Sequence, residues 1–279
     1  MKILAIGDFH GKFPEKLKKE VKKADLVLVT GDFGGSDRLL KIIFKYLVKG
    51  GWYNYVSKEK AKEYISEDYN SGVKILNELN KFEKRMYLIA GNWDFIKKTS
   101  LDRTAKLKLI FYPKVVRRKL ENLRWWNRGI KKNVNGLKIL AFGDSVTPHE
   151  HLRKGSFSHR KWKKHVAKNK KEISQIMSYG AKDIDILFAH YTPYKIFDKV
   201  KWKGYNPMNG KHVGFEGFTK YIKKYSPRLF ISGHMHEYQG IKKLGKTIIV
   251  ATGAAKDGKA AMIDFNEKTK KFKVSFIKP

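Results

Sequence analysis

The chain has 279 residues, no cysteine, and 61 lysines and arginines against 26 acidic residues, a formal charge of +35. Lacking cysteine, it can build neither a disulfide framework nor a thiolate metal site. No apolar run is long enough to cross a bilayer, and strand-like residues 2–6 open the chain with no leader, so a cytoplasmic protein with no membrane attachment is expected. The charge fits either a polyanionic partner, such as nucleic acid or a phosphorylated substrate, or a lysine-rich surface that serves none. The lysines are spread over every segment rather than massed in one.

After the first strand, residues 13–23 read as a short basic helix and residues 26–30 as a second strand. Residues 36–48 have an amphipathic helical pattern with Ser36 or Asp37 as N-cap, broken at Gly50-Gly51. An aromatic tip, Trp52-Tyr53-Asn54-Tyr55, leads into a long helical stretch over residues 58–82. Residues 34–84 are therefore expected to form a helical hairpin inserted into a single domain spanning residues 1–279. Its aromatics could pack the hairpin onto the body, cap a site, or grip a base or another subunit. Residues 109–143 read as strands, with a hairpin at Asn135-Gly136. Arg117, Arg118, Arg124, Arg128, Lys131 and Lys132 decorate them, with Trp125 and Trp126 between. That pattern suits single-stranded nucleic acid, and equally a half-exposed sheet with no ligand. Residues 145–171 hold His149, His151, His159 and His165 in an expected flexible loop, since no carboxylate or cysteine is spaced to complete a metal site with the 149/151 pair. A basic helix over 158–179, a rim loop over 195–216 and a short helix over 217–225 follow. Runs 245–252, 259–265 and 271–277 read as a meander completing a second sheet.

Five apolar, strand-like runs end on metal-ligand residues. The first, ILAIGDFHG, supplies Asp8 and His10, and LVLVTGDF supplies Asp32. MYLIAGNWD brings Asn92, ILFAHYTP brings His190, and LFISGHMHE brings His234 and His236. In an open α/β sheet, ligands bind outside the carboxyl ends of the strands. Seven O and N donors meeting there could hold two borderline or hard divalent cations. Asp8 and His10 are two apart, as are His234 and His236, and in extended backbone such pairs share a face. Glycines at 7, 11, 31, 91 and 233 adjoin the ligands and permit tight exits from the strands.

This order of motifs resembles the calcineurin-like metallophosphoesterase superfamily, over residues 3 to about 255. The resemblance implies an α/β (α+β) four-layer αββα sandwich of two packed mixed β-sheets flanked by helices, here with the helical insertion. It implies two divalent ions, Mn²⁺ first, with Fe, Zn, Ni or Co as alternatives. Asp8, His10 and His236 would hold one ion; Asn92, His190 and His234 the other; Asp32 would bridge. His10, Asp32 and Asn92 would be the catalytic residues. The reaction implied is hydrolysis of phosphodiester, or phosphomonoester, bonds by attack of a metal-bridging hydroxide on phosphorus. A nuclease acting on DNA or RNA is the alternative enzyme. A non-catalytic nucleic-acid-binding protein of the same fold is the alternative of another class. The oligomeric state stays open.

One departure stands out. The third family motif usually reads Gly-Asn-His followed by Asp or Glu, and its histidine is thought to protonate the leaving group. Here it reads Gly91-Asn92-Trp93-Asp94. An indole N–H donates a hydrogen bond but supplies no proton near neutral pH. Substrates with good leaving groups are then favoured, or another residue supplies the proton. The candidates for substrate contact or for that role are Trp93, Asp94, His149, His151 and His212. Asp32 is also followed by Phe33-Gly34-Gly35, where many members carry a further acid.

Overall fold

A computed structural model describes residues 1–46, 51–97, 107–155, 158–203, 206 and 208–279. The described elements run β1 (Lys2–Ile6), α1 (Glu15–Lys23), β2 (Leu26–Val29), α2 (Asp37–Tyr46), α3 (Lys58–Asn80), β3 (Met86–Leu88), α4 (Tyr112–Lys119), β4 (Leu123–Trp125), β5 (Lys131–Val134) and β6 (Leu137–Phe142). They continue with α5 (His159–Ser178), β7 (Ile186–Ala189), α6 (Glu216–Tyr225), β8 (Leu229–Ser232), β9 (Gln239–Leu244), β10 (Thr247–Thr252), β11 (Ala260–Asn266) and β12 (Lys271–Ile277). None of the described helices is long and apolar enough to cross a membrane.

Two six-stranded mixed sheets result, in the orders β12-β11-β1-β2-β3-β4 and β5-β6-β7-β8-β10-β9. Strands β1 to β4 are mutually parallel, as are β6, β7, β8 and β10. Central strands β2 and β7 are apolar and buried at every position because both faces are covered. Alternation then sorts their side chains. Ile3, Ala5, Leu26 and Leu28 meet Ile139, Ile186, Phe188 and Ile231 between the sheets. Leu4, Ile6, Val27 and Val29 point outward to Leu17 of α1, Ile75 and Leu79 of α3 and Val116 of α4. Leu140, Leu187 and Phe230 face Ile176 of α5 and Phe218 of α6 on the other side. These are the four layers expected.

Three local expectations are revised. Residues 112–119 are helical, not extended: Pro113 starts α4, and Tyr112, Val115 and Val116 recur at helical spacing on its buried side. Arg117 and Arg118 therefore lie on a helix. The last three runs do not share a sheet. β10 pairs parallel with β8, whereas β11 and β12 cross to the first sheet and pair antiparallel with β1 and with each other. Finally, His149–Leu152 form a turn of 3₁₀ helix rather than open loop. The Asn135-Gly136 hairpin forms as read, both residues having positive φ between Val134 and Leu137. The expected end of α2 at residue 48, and Gly50 after it, lie outside the described residues.

Candidate dinuclear metal centre

All five strands that carry the candidate ligands belong to the parallel centres of the two sheets, so their carboxyl ends open on one edge of the sandwich. Asp8, His10, Asp32 and Asn92 follow β1, β2 and β3 of one sheet; His190, His234 and His236 follow β7 and β8 of the other. These candidate ligands lie just past the strands, not in them. Asp8, His10, Asp32 and His234 have φ of 57°, 42°, 56° and 68°, in the left-handed region. The extended two-residue spacing is thus not what aims Asp8 and His10 together. Their turn is instead pinned to the next one: Asp8 N–H donates to Gly31 O at 2.8 Å and His10 N–H to Asp32 O at 3.1 Å. Positive φ at non-glycine residues is strained backbone of the kind that clusters at functional sites. Of the neighbouring glycines, Gly91 and Gly233 serve close approach: a Cβ at either would strike the carboxylate of Asp32 or Asp8.

The side chains form two triads, Asp8–His10–His236 and Asp32–His190–His234, whose ligand atoms lie within 4.8 Å of one another in each. His10 Nε2 and His236 Nε2 are 3.1 Å apart, and His236 Nε2 is 3.4 Å from Asp8 Oδ1. Asp32 Oδ2 lies 3.4 Å from His190 Nε2 and 3.7 Å from His10 Nε2, so one oxygen faces both triads. Asn92 Oδ1 is 2.9 Å from His190 Nε2. Asp8 also accepts the His234 N–H at 3.0 Å, tying the two sheets together at the site.

The donor chemistry fits cations. Nδ1–H of His190 donates to Thr30 O at 2.8 Å, which leaves Nε2 of the neutral ring as a lone pair facing the oxygens of Asn92 and Asp32. Acceptors turned on acceptors in a buried site repel unless a proton or a metal lies between them. The protonation balance reflects this. Burial alone would lower His190, but the Asp32 and Asp8 carboxylates outweigh it and hold it up to about 9. Burial, with the imidazoles of His236 and His190 respectively, pushes His10 down to about 4 and His234 down to about 3. Burial opposes ionisation of Asp32, yet His190 keeps its carboxyl below the usual range.

Residue 93 is held from two sides. Its backbone N–H donates to Asp32 Oδ1 at 2.8 Å, and its indole Nε1–H donates to Asp68 Oδ1 at 2.8 Å. Asp68 lies on α3, 2% exposed. Burial pushes it up to about 7, against the indole bond. Asp94 is a backbone clamp: its carboxylate receives the N–H groups of Gly91, Asp32 and Phe33 at 2.7–2.9 Å. Burial and the nearby Asp32 push it up to about 7.

The remaining histidine candidates are bound elsewhere and do not line the cleft over the triads. His149 pairs with Glu216 at 2.7 Å and stacks on Tyr194. His212 pairs with buried Asp198 at 2.7 Å. His151 packs against His165, and burial with that neighbour pushes it down to about 4. Arg128, expected on an exposed sheet face, is turned inward: it stacks on Phe142 and donates to Gly143 O and Ser145 O. The cleft, about 230 Å³, is instead walled by Leu40, Ile43 and Phe44 of α2, by Trp93, by Trp202 and by Lys256. Sequence reasoning missed Asp68, Trp202 and Lys256. Asp68 had a signal: it occupies a core position of α3, in step with buried Tyr64, Ile65, Gly72 and Ile75. An acid at such a position is rarely buried without a partner.

The calcineurin-like phosphoesterase family model matches residues 1–238, and the chain belongs to that family. An uncharacterized protein of Methanocaldococcus jannaschii, MJ1162, is 24% identical over 253 residues, covering 90% of this chain and 87% of its own. One crystal structure superposes with a TM-score of 0.59 at 20% identity over 98% of each chain, a likeness of fold. A dimetal phosphatase from Danio rerio gives a TM-score of 0.49 at 8% identity, covering 96% of this chain and 93% of its own.

Proposed function

We propose that this protein is a two-metal hydrolase of small phosphodiesters. The observation that carries the reading is the pair of converging triads with one Asp32 oxygen turned to both. Asp8, His10 and His236 would hold one divalent ion; Asn92, His190 and His234 the other; Asp32 would serve both. Such ions, when bound, activate water and offset charge on the phosphoryl oxygens. Mn²⁺ suits this mixed O and N set, as do Fe, Zn, Co and Ni.

The chain's own groups prepare the rest. Thr30 O fixes the tautomer and ring plane of His190. Asp94 locks the turn carrying Asn92 against the turn carrying Asp32. Lys256 lines the cleft and offers a cation to a phosphoryl oxygen. Trp93, at the position of the usual general acid, brings bulk and no transferable proton. This favours diesters with good leaving groups over alkyl monoesters, whose departing alkoxide needs protonation. The test is release of nitrophenol from bis(4-nitrophenyl) phosphate with Mn²⁺, before and after chelation. Turnover abolished by chelator and restored by metal is expected; turnover indifferent to chelator would overturn the reading. A labelled oligonucleotide in the same assay separates a nuclease from a small-molecule diesterase.

A further inference from the structure

Resting on that reading of the ligand site, we infer that the cleft selects phosphoesters whose organic group presents a flat aromatic face, held under a Phe44–Trp202 roof. The two rings come from elements far apart in sequence, α2 and the loop after β7, and meet edge to face with centroids 5.4 Å apart. Trp202 lies 6.3 Å from the His236 ring, so the roof sits over the triads. Leu40, Ile43 and Trp93 continue the same wall. These apolar side chains line the same cleft as five of the candidate ligands, His10, Asp32, Asn92, His234 and His236, and an apolar wall facing such a cleft is costly to leave wetted.

The roof is braced. Trp202 N–H donates to Asn209 Oδ1 at 2.8 Å, and Asn209 Nδ2 returns a bond to Trp202 O at 3.1 Å. Lys256 Nζ stands 5.8 Å from the Trp202 ring centroid and forms no ion pair among the described residues, whereas Lys12 is spent on Asp37 at 3.0 Å. Phosphate would lie between the triads and Lys256; the ring of the organic group would lie against Phe44, Trp93 and Trp202. Aromatic pairs in such geometry attract beyond what burial alone gives. A methyl group in the same place would touch one wall at most.

The experiment holds the leaving group constant so that chemistry at residue 93 cancels. Because a nitrophenyl ester itself carries a flat ring, phenylphosphonate and methylphosphonate are compared as inhibitors of bis(4-nitrophenyl) phosphate and 4-nitrophenyl methyl phosphate turnover by the Mn²⁺-loaded protein. Binding of phenylphosphonate and methylphosphonate is measured in parallel by calorimetry. A preference for the phenyl compound of at least tenfold is expected in both, falling toward unity in Phe44→Ala and in Trp202→Ala. A ratio near one in the wild type, or one unchanged in both variants, overturns the inference. Turnover with no aryl preference leaves the phosphoesterase reading standing without it. Aryl-selective binding with no turnover of either ester sinks the phosphoesterase reading while upholding the roof.

Discussion

The indole Nε1–H of Trp93 donates to Asp68 Oδ1 across 2.8 Å, joining the third ligand turn to a buried acid of α3. This bond explains how a bulky ring is kept in one orientation beside Asn92. It also changes what a histidine at 93 would meet. Asp94 follows the residue as the usual motif requires, but its oxygens are occupied by three backbone N–H groups. The carboxylate facing the ring is that of Asp68.

Restoring histidine at this position should restore proton donation. For wild type, kcat/KM over a series of diesters is expected to fall steeply as leaving-group pKa rises. Trp93→His should flatten that slope and accelerate alkyl esters by up to roughly 10²-fold. Adding Asp68→Asn to the histidine variant should return part of the slope, because the new ring loses its charged partner. Equal slopes in wild type and Trp93→His would mean that another acid already protonates the leaving group.

Asp68 also predicts a pH dependence of stability. Its carboxyl is pushed from an ordinary 3.8 up to about 7 by burial. The folded state then binds a proton that the unfolded state releases between those values. Stability from this group is fully present below pH 4 and is lost as pH rises through 7. Asp68→Asn keeps an acceptor for the indole and removes the titration. Its stability relative to wild type should therefore increase between pH 5 and pH 8, by on the order of a few kcal/mol. Urea unfolding of metal-free protein at the two pH values measures it; a difference that stays flat would contradict the buried, ionisable state of Asp68.

Gly91 is placed where a side chain cannot go. A Cβ there would collide with the Asp32 carboxylate, and its backbone could yield only by moving Asn92. Gly91→Ala should cost about 1–3 kcal/mol and weaken metal affinity at least tenfold. Metal titration followed by thermal melts checks both, and unchanged affinity would show that the two turns tolerate separation.

The +35 charge predicts a salt-sensitive, sequence-independent affinity for nucleic acid. Single-stranded oligonucleotide bound at about 50 mM salt should be released steeply by about 200 mM, the slope counting the phosphates contacted. Oligonucleotide held by surface lysines away from the Asp32 cleft should not inhibit diester turnover competitively. No binding at the lower salt would leave the lysines as surface composition.

The convergence of the seven candidate ligands was legible because each ends an apolar run, and a buried parallel strand in this fold delivers its next residues to one edge. The αββα layering followed from the same resemblance. What was not legible is instructive. Tyr112-Pro113-Lys114-Val115-Val116 read as strand because its β-branched pair and aromatic favour sheets; its Pro113 start and helical spacing decide for α4. The crossing of β11 back to β1 leaves no local mark, since pairing partners distant in sequence are fixed by packing. Phe44, Trp202 and Lys256 come together only in three dimensions, from three separate elements. Arg128 looked like a surface cation because sequence gives no sign that the Phe142 ring and two carbonyls await it.

The most direct test of the two-metal account is elemental analysis after Mn²⁺ loading and removal of free ion. The account predicts about two equivalents per chain in wild type and a clear loss in Asp32→Asn, because that one carboxylate oxygen faces both triads. Less than half an equivalent bound by the wild type would contradict it.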